Sequence, residues 1–173
     1  MLYAHAVRSY VFAALLARHD RMHVDDEALY VGCVLHDIGL TPDYEQPVAP
    51  FEQVSADIAV ALAGRFGWPS ERRETLADAI VLHMAAEVGA DESPEARALE
   101  TGVAVDCTGR RLDDIAAPAV AEVLRQLPRG PFKRDFAALL KQEATRKPAS
   151  SAAMSTHAGL LDRIAATPFR DTA

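Results

Sequence analysis

A histidine and an aspartate stand side by side at the end of an apolar run, Val34-Leu35-His36-Asp37-Ile38-Gly39. A buried imidazole beside a buried carboxylate is unfavourable unless something satisfies both. A divalent metal does so: neutral histidine and ionised aspartate are both good ligands, and a mixed N/O set suits Zn, Mn, Fe, Co or Ni. Three more polar residues are embedded in apolar stretches, namely His5, His83 and Asp106. Each also has a plainer explanation. The His-Asp pair could be a helix cap, His5 an idle residue near the terminus, and His83 a satisfied core histidine. Asp106 could pair with Arg110 one turn on, or with Arg8. Taken together, they suit a site where a metal activates water.

These residues need helices to position them. Residues 2–19 carry Tyr3, Val7, Tyr10, Val11, Ala14 and Leu15 at three-to-four spacing, with His5 on the same helix. Asp25 or Asp26 caps a second helix through about Ile38, apolar almost all round and therefore central, with Gly39 as its stop. The stretch from Gly39 to Pro50 lacks periodicity and reads as a long loop leaving the His-Asp pair. Phe51 to Phe66 is a third helix, and Ser70 caps a fourth through about Ala86, with His83 in its last part. Ser93-Pro94-Glu95 starts a fifth to about Thr108 that contains Asp106. A sixth runs from Pro118 to about Gln126 and a seventh over 131–146. Lys147 to Met154 reads as a mobile linker, and Ser155 caps a short last helix through Ala165. No stretch alternates convincingly. The expectation is an all-α, single-domain helical bundle of about seven or eight helices with the metal site in its core. The domain spans 1–173, its core about 1–146, with 147–173 as linker and short C-terminal helix.

The bulk properties agree. The chain has 173 residues, half of them apolar, enough to bury a core. A net charge of −7 argues against nucleic acid or an anionic membrane as partner. It leaves room for a small-molecule substrate, because a local cation can invert the field in a pocket. Cys33 and Cys107 read as core thiols in a reducing compartment. With no membrane-length apolar run and no signal pattern, the expected location is cytoplasmic.

The order His, His-Asp, His, Asp resembles the HD superfamily of metal-dependent hydrolases and phosphohydrolases. The strings that carry it are Tyr3-Ala4-His5-Ala6-Val7-Arg8, Leu35-His36-Asp37-Ile38-Gly39, Ile80-Val81-Leu82-His83 and Val105-Asp106, across roughly residues 1 to 150. Within it the chain looks most like the cyanamide-hydratase-like branch. The cues are Phe51-Glu52, Val105-Asp106-Cys107-Thr108-Gly109, and Phe132-Lys133 with Arg146-Lys147-Pro148. The resemblance implies an HD-type bundle and one divalent transition metal (Zn, Fe, Mn, Co or Ni, with Mg less suited) held by His5, His36, Asp37 and Asp106. Members with two metals look to carry further histidines between the His-Asp pair and the last aspartate, where this chain has only His83. Asp37 and His83 are the expected catalytic residues, with His83 as general acid or holder of a developing anion. Arg8, Leu40, Glu52 and His83 are the candidate substrate-facing residues. For Arg8 a salt bridge to an acidic core residue is the competing reading, and for Glu52 helix N-terminal chemistry.

Two features depart from the family's pattern. Many phosphate-cleaving relatives resemble His-Asp-X-Gly-Lys, where the lysine would meet phosphate, and here Leu40 takes that place. This favours a small neutral substrate, such as a nitrile or cyanamide undergoing hydration. A phosphohydrolase acting on a nucleotide or phosphoester, and a non-catalytic metal-stabilised binding domain, are the alternatives. His5 also lies in the first turn of its helix, where a ligand is poorly fixed. Either chain upstream of Met1, a partner subunit in a homodimer or the C-terminal helix is expected to cover it.

Overall fold

The structure is a computed structural model that describes residues 1–171. Among these residues it has nine α-helices and no strand. In order they are α1 (Leu2–His19), α2 (Asp26–Leu35), α3 (Phe51–Arg65), α4 (Ser70–Leu82), α5 (Pro94–Thr108), α6 (Ala117–Gln126), α7 (Phe132–Arg146), α8 (Ser151–His157) and α9 (Leu160–Ala166). Two short 3-10 turns, Ile38–Leu40 and Leu112–Asp114, interrupt the loops. No helix is long and apolar enough to cross a membrane.

Local chemistry explains where the key helices begin and end. The Asp25 carboxylate accepts from the Ala28 amide at 3.0 Å, and Asp26 and Glu27 in the first turn suit the positive end of α2. Ser93 does the same for α5 through Ala96, and Pro94 pre-sets the first turn. Gly109 ends α5 in the left-handed conformation, φ 76°.

The pair α1–α5 is the spine. Ser9 and Ala13 lie one turn apart on α1 and face Gly102 on α5. One turn further along α5, Asp106 meets His5 and Arg8. The two helices therefore run antiparallel in close contact. A Cβ at Gly102 would run into the Ser9 carbonyl oxygen and would lie 2.7 Å from the Ala13 methyl, so glycine sets the approach. A second glycine matters beside the His-Asp pair. A Cβ at Gly39 would run into the Phe51 carbonyl oxygen, so the start of α3 backs directly onto the turn that carries Asp37. The Gly39 amide donates to Ser55 Oγ at 3.0 Å, which holds that turn in place.

The helix boundaries differ from expectation at several places: Ser70 and Ser155, expected as caps, lie inside α4 and α8, and the expected last helix through Ala165 is two, α8 and α9. Helix α2 stops at Leu35 rather than Ile38, and α4 at Leu82 rather than Ala86, so His36 and His83 each stand at a C-terminal cap. Both apolar patterns continue past the last helical turn because the residues beyond it are still packed in the core. Ser150 accepts from the Ala153 amide and caps α8, so the expected linker over 147–154 is in good part helix. Lys147, 6% exposed, is tied to Glu143 at 2.7 Å, and Glu143 also accepts from the Phe51 amide at 3.1 Å. Those bonds join α7 and the start of α3.

Replacing Gly102 by alanine should lower stability by about 1–3 kcal/mol, because the added methyl pushes α1 off α5. Helix propensity alone would favour alanine by about 1 kcal/mol. Thermal denaturation decides between the two: a lower Tm is expected, and a raised Tm would mean the helices are not in close contact there.

Candidate metal centre

Three imidazoles face one another in the core, and each is turned by what its Nδ1 bonds to. His36, just past α2, donates from Nδ1 to the Cys33 carbonyl at 2.7 Å. His83, just past α4, donates from Nδ1 to the Ile80 carbonyl at 2.5 Å. His5, on α1, donates from Nδ1 to Asp106 Oδ2 at 2.7 Å. A carbonyl or carboxylate oxygen only accepts, so each ring proton sits on Nδ1. Each Nε2 is left with a lone pair, the form in which histidine binds metals.

Those lone pairs meet at Asp37. His5 Nε2 and His36 Nε2 are 3.3 Å apart. Asp37 Oδ2 is 3.5 Å from the first and 3.3 Å from the second. His83 Nε2 lies 3.7 Å from the other oxygen, Oδ1. Asp37 is 4% exposed, and neither of its oxygens has a hydrogen-bond partner among the described residues. A buried carboxylate left like this is strongly unfavourable. A cation about 2.1 Å from each of several ligands in tetrahedral arrangement spaces them by about 3.4 Å. The His5, His36 and Asp37 atoms match that spacing. They are the His, Cys, Asp and Glu donors close enough together to hold one ion among the described residues. The residues present therefore fit a divalent metal.

Asp106 stands elsewhere than expected. Its oxygens are taken by His5 Nδ1, by Arg8 (Nε to Oδ1 at 2.8 Å, Nη2 to Oδ2 at 2.9 Å) and by Arg129 Nη1 at 2.7 Å. It is thus behind His5 rather than in the triangle of ligand atoms. Its role in this geometry is to orient the ring and raise its basicity. Arg8 is fully buried and bonded to Asp106 and to the Leu127 and Pro128 carbonyls, the salt bridge to an acidic core residue that was one of the two readings of it. Leu40 is part of the apolar core. Glu52 is buried at the start of α3 with Oε2 unpartnered, and it is not one of the clustered donor atoms.

The electrostatics follow from burial and these partners. Burial penalises charge on all four groups of the centre. At Asp37 the positive form of His36 outweighs that penalty and holds the carboxyl below the usual carboxylate range. Burial also opposes ionisation of Asp106, but the hydrogen bonds from His5 and Arg8 win and hold it low. Burial pushes the His83 imidazole down to about 3, and His5 down as well. His36 is raised, because its attraction to Asp37 overcomes burial. Without a metal, one proton on His36 thus serves Asp37. His83 is neutral in the metal-free site, with its lone pair turned toward Asp37.

Sequence reasoning missed the residues that close the site over His5. Phe132 and Phe136 of α7 stack on each other and lie 4.8 and 5.1 Å from the His5 ring. They cover a ligand that sits in the first turn of α1. Arg129 was also missed: it lies in a Pro-Arg-Gly-Pro turn with no periodicity linking it to Asp106. Compared with protein-family models, the chain matches the HD domain over residues 2–150. Compared with curated proteins, it has no match.

Acid should destabilise the metal-free protein. His5 and His83 are held below the usual imidazole range in the fold, so as pH falls the unfolded chain takes up protons on them before the fold does, whereas His36 is raised. The unfolded state then binds more protons, so stability falls as pH drops below 6.5, by about 1–3 kcal/mol per unit. Asp37 and Asp106, both held low, add to the loss below pH 4. In chelator-treated protein Tm should drop from pH 6.5 to 5, and His83→Gln should flatten the drop. A Tm that stays level or rises on acidification would contradict this charge assignment.

Proposed function

The chain belongs to the HD-domain family, generally metal-dependent hydrolases, and from that premise we propose that it adds water to a small, neutral organic substrate, with nitrile or cyanamide-type hydration as the first subtype. The observation that carries the reading is the pairing of Asp37, unpartnered and buried, with imidazoles that present only lone pairs to it. A divalent transition metal bound by His5, His36 and Asp37 would supply Lewis acidity and bring the pKa of a water toward neutrality.

The chain's own groups then have distinct tasks. Asp37 Oδ1 and His83 Nε2 face each other at 3.7 Å, at the carboxylate oxygen other than the one nearest His5 and His36. A water held between them would find two acceptors for its protons. His83 takes the proton, because its Nδ1–H is fixed on Ile80 and its Nε2 is free. Phe132 and Phe136 exclude bulk water from the His5 side, which strengthens every charge interaction in the site.

A neutral substrate is favoured because the cations nearby are already paired. Arg8 and Arg129 both bond to Asp106, and Leu40 stands where phosphate-cleaving relatives resemble lysine. A phosphorylated substrate would lack that partner.

The test is metal content and turnover in the purified protein, His36→Ala and Asp37→Ala. Both variants should lose the metal and at least about a hundredfold of activity. Metal content unchanged in both would refute the centre. A panel of cyanamide, short nitriles, phosphomonoesters and nucleotides separates the readings: turnover confined to the phosphate compounds would replace hydration with phosphohydrolysis. If chelation lowers Tm and nothing turns over, the domain binds metal for stability alone.

A further inference from the structure

A cavity of about 640 Å³ opens beside the centre. His83 and Phe136 line it, and both touch the metal-site residues: His83 faces Asp37, and the Phe136 ring lies against His5. Val103, Ala104 and Cys107 of α5 form one wall. Ser155, Ala158 and Leu160 from the α8–α9 corner are on it too. That corner lies beyond residue 150, outside the stretch matched to the family.

The size suits a small organic ligand, since such sites commonly measure about 300–1,000 Å³. Its lining is mainly aliphatic, with an aromatic ring at the metal end. The charged side chains on it are Glu100, Arg110 and Arg163. Glu100 and Arg110 pair with each other, and Arg163 is exposed and donates to the Ala158 carbonyl at 2.7 Å. No unpaired charge is therefore buried along the cavity wall.

We propose that this cavity is the substrate site and that the α8–α9 corner sets its length, selecting molecules with an extended apolar body and a small polar head directed at His83. This rests on the hydrolase reading for the identity of the head group, but the apolar selection stands on the cavity alone. The proposal accounts for a helix pair packed where a mobile linker and one short helix were expected. Ser155 Oγ donates to the Met84 carbonyl at 3.4 Å, which links α8 to the segment just after His83.

The experiment uses linear primary amides from acetamide to hexanamide, titrated calorimetrically into the full-length protein with metal and after chelation. Amides place a neutral polar head on an apolar chain of adjustable length. Each added methylene buried in the cavity should tighten binding about threefold to fourfold, in both forms of the protein. The variants Ala158→Trp and Ser155→Phe narrow the cavity from the α8–α9 side. Either one that keeps the parent Tm and metal content should lose the preference for the longer amides. A flat series in the parent protein, or an unchanged preference in the folded variants, would overturn the proposal. A chain-length dependence without turnover of any substrate would leave the cavity assignment standing and count against the hydrolase reading.

Discussion

Everything in this bundle depends on one electrostatic constraint: Asp37 is buried among imidazoles that have given their protons away. Backbone carbonyls of Cys33 and Ile80 fix the tautomers of His36 and His83, and Asp106 fixes that of His5. Neutral rings with inward lone pairs cannot satisfy a carboxylate. Only a proton or a metal can, and this requirement turns a set of core residues into a centre. The helices supply the carbonyls because His36 and His83 stand where α2 and α4 end. The last turn of a helix has unbonded carbonyl oxygens to offer.

The second buried carboxylate, Asp106, is held differently. Removing a carboxylate from water costs several kcal/mol unless close charges repay it. Arg8, Arg129 and His5 do so here, and the Arg129 guanidinium also lies over the Phe132 ring at 4.6 Å. The ion pairs join α1, α5 and the turn before α7. The arrangement can form only because Gly102 lets α1 and α5 approach, one helical turn from Asp106. Packing and site chemistry are therefore the same problem at this point in the fold.

Much of this was legible in the chain. The two ends of α5 follow from local signals, Ser93-Pro94 at one end and Gly109 at the other. His5, His36 and Asp37 stood out as polar residues in apolar runs, and they do come together. Asp106 stood out for the same reason, yet its burial is explained by arginines rather than by direct ligation. Sequence spacing shows that a residue faces the core and offers candidate partners, of which Arg8 meets Asp106 and Arg110 pairs with Glu100 instead. Arg129 was invisible because it acts through a tertiary contact, with no periodicity to mark it, whereas the Ser150 cap is a local signal, an N-cap serine bonded to the amide three residues on, which was expected at Ser155 instead. The direction of the His83 lone pair depends on its Nδ1 bond to the Ile80 carbonyl, which no spacing in the chain marks.

The most direct test of this account is the anomalous-diffraction structure of crystals soaked in a divalent transition metal. The account predicts one cation bonded to His5 Nε2, His36 Nε2 and Asp37 Oδ2, with Asp106 still on His5 Nδ1. An anomalous peak elsewhere in the molecule, or one with Asp106 in the coordination sphere in place of its bond to His5, would contradict it.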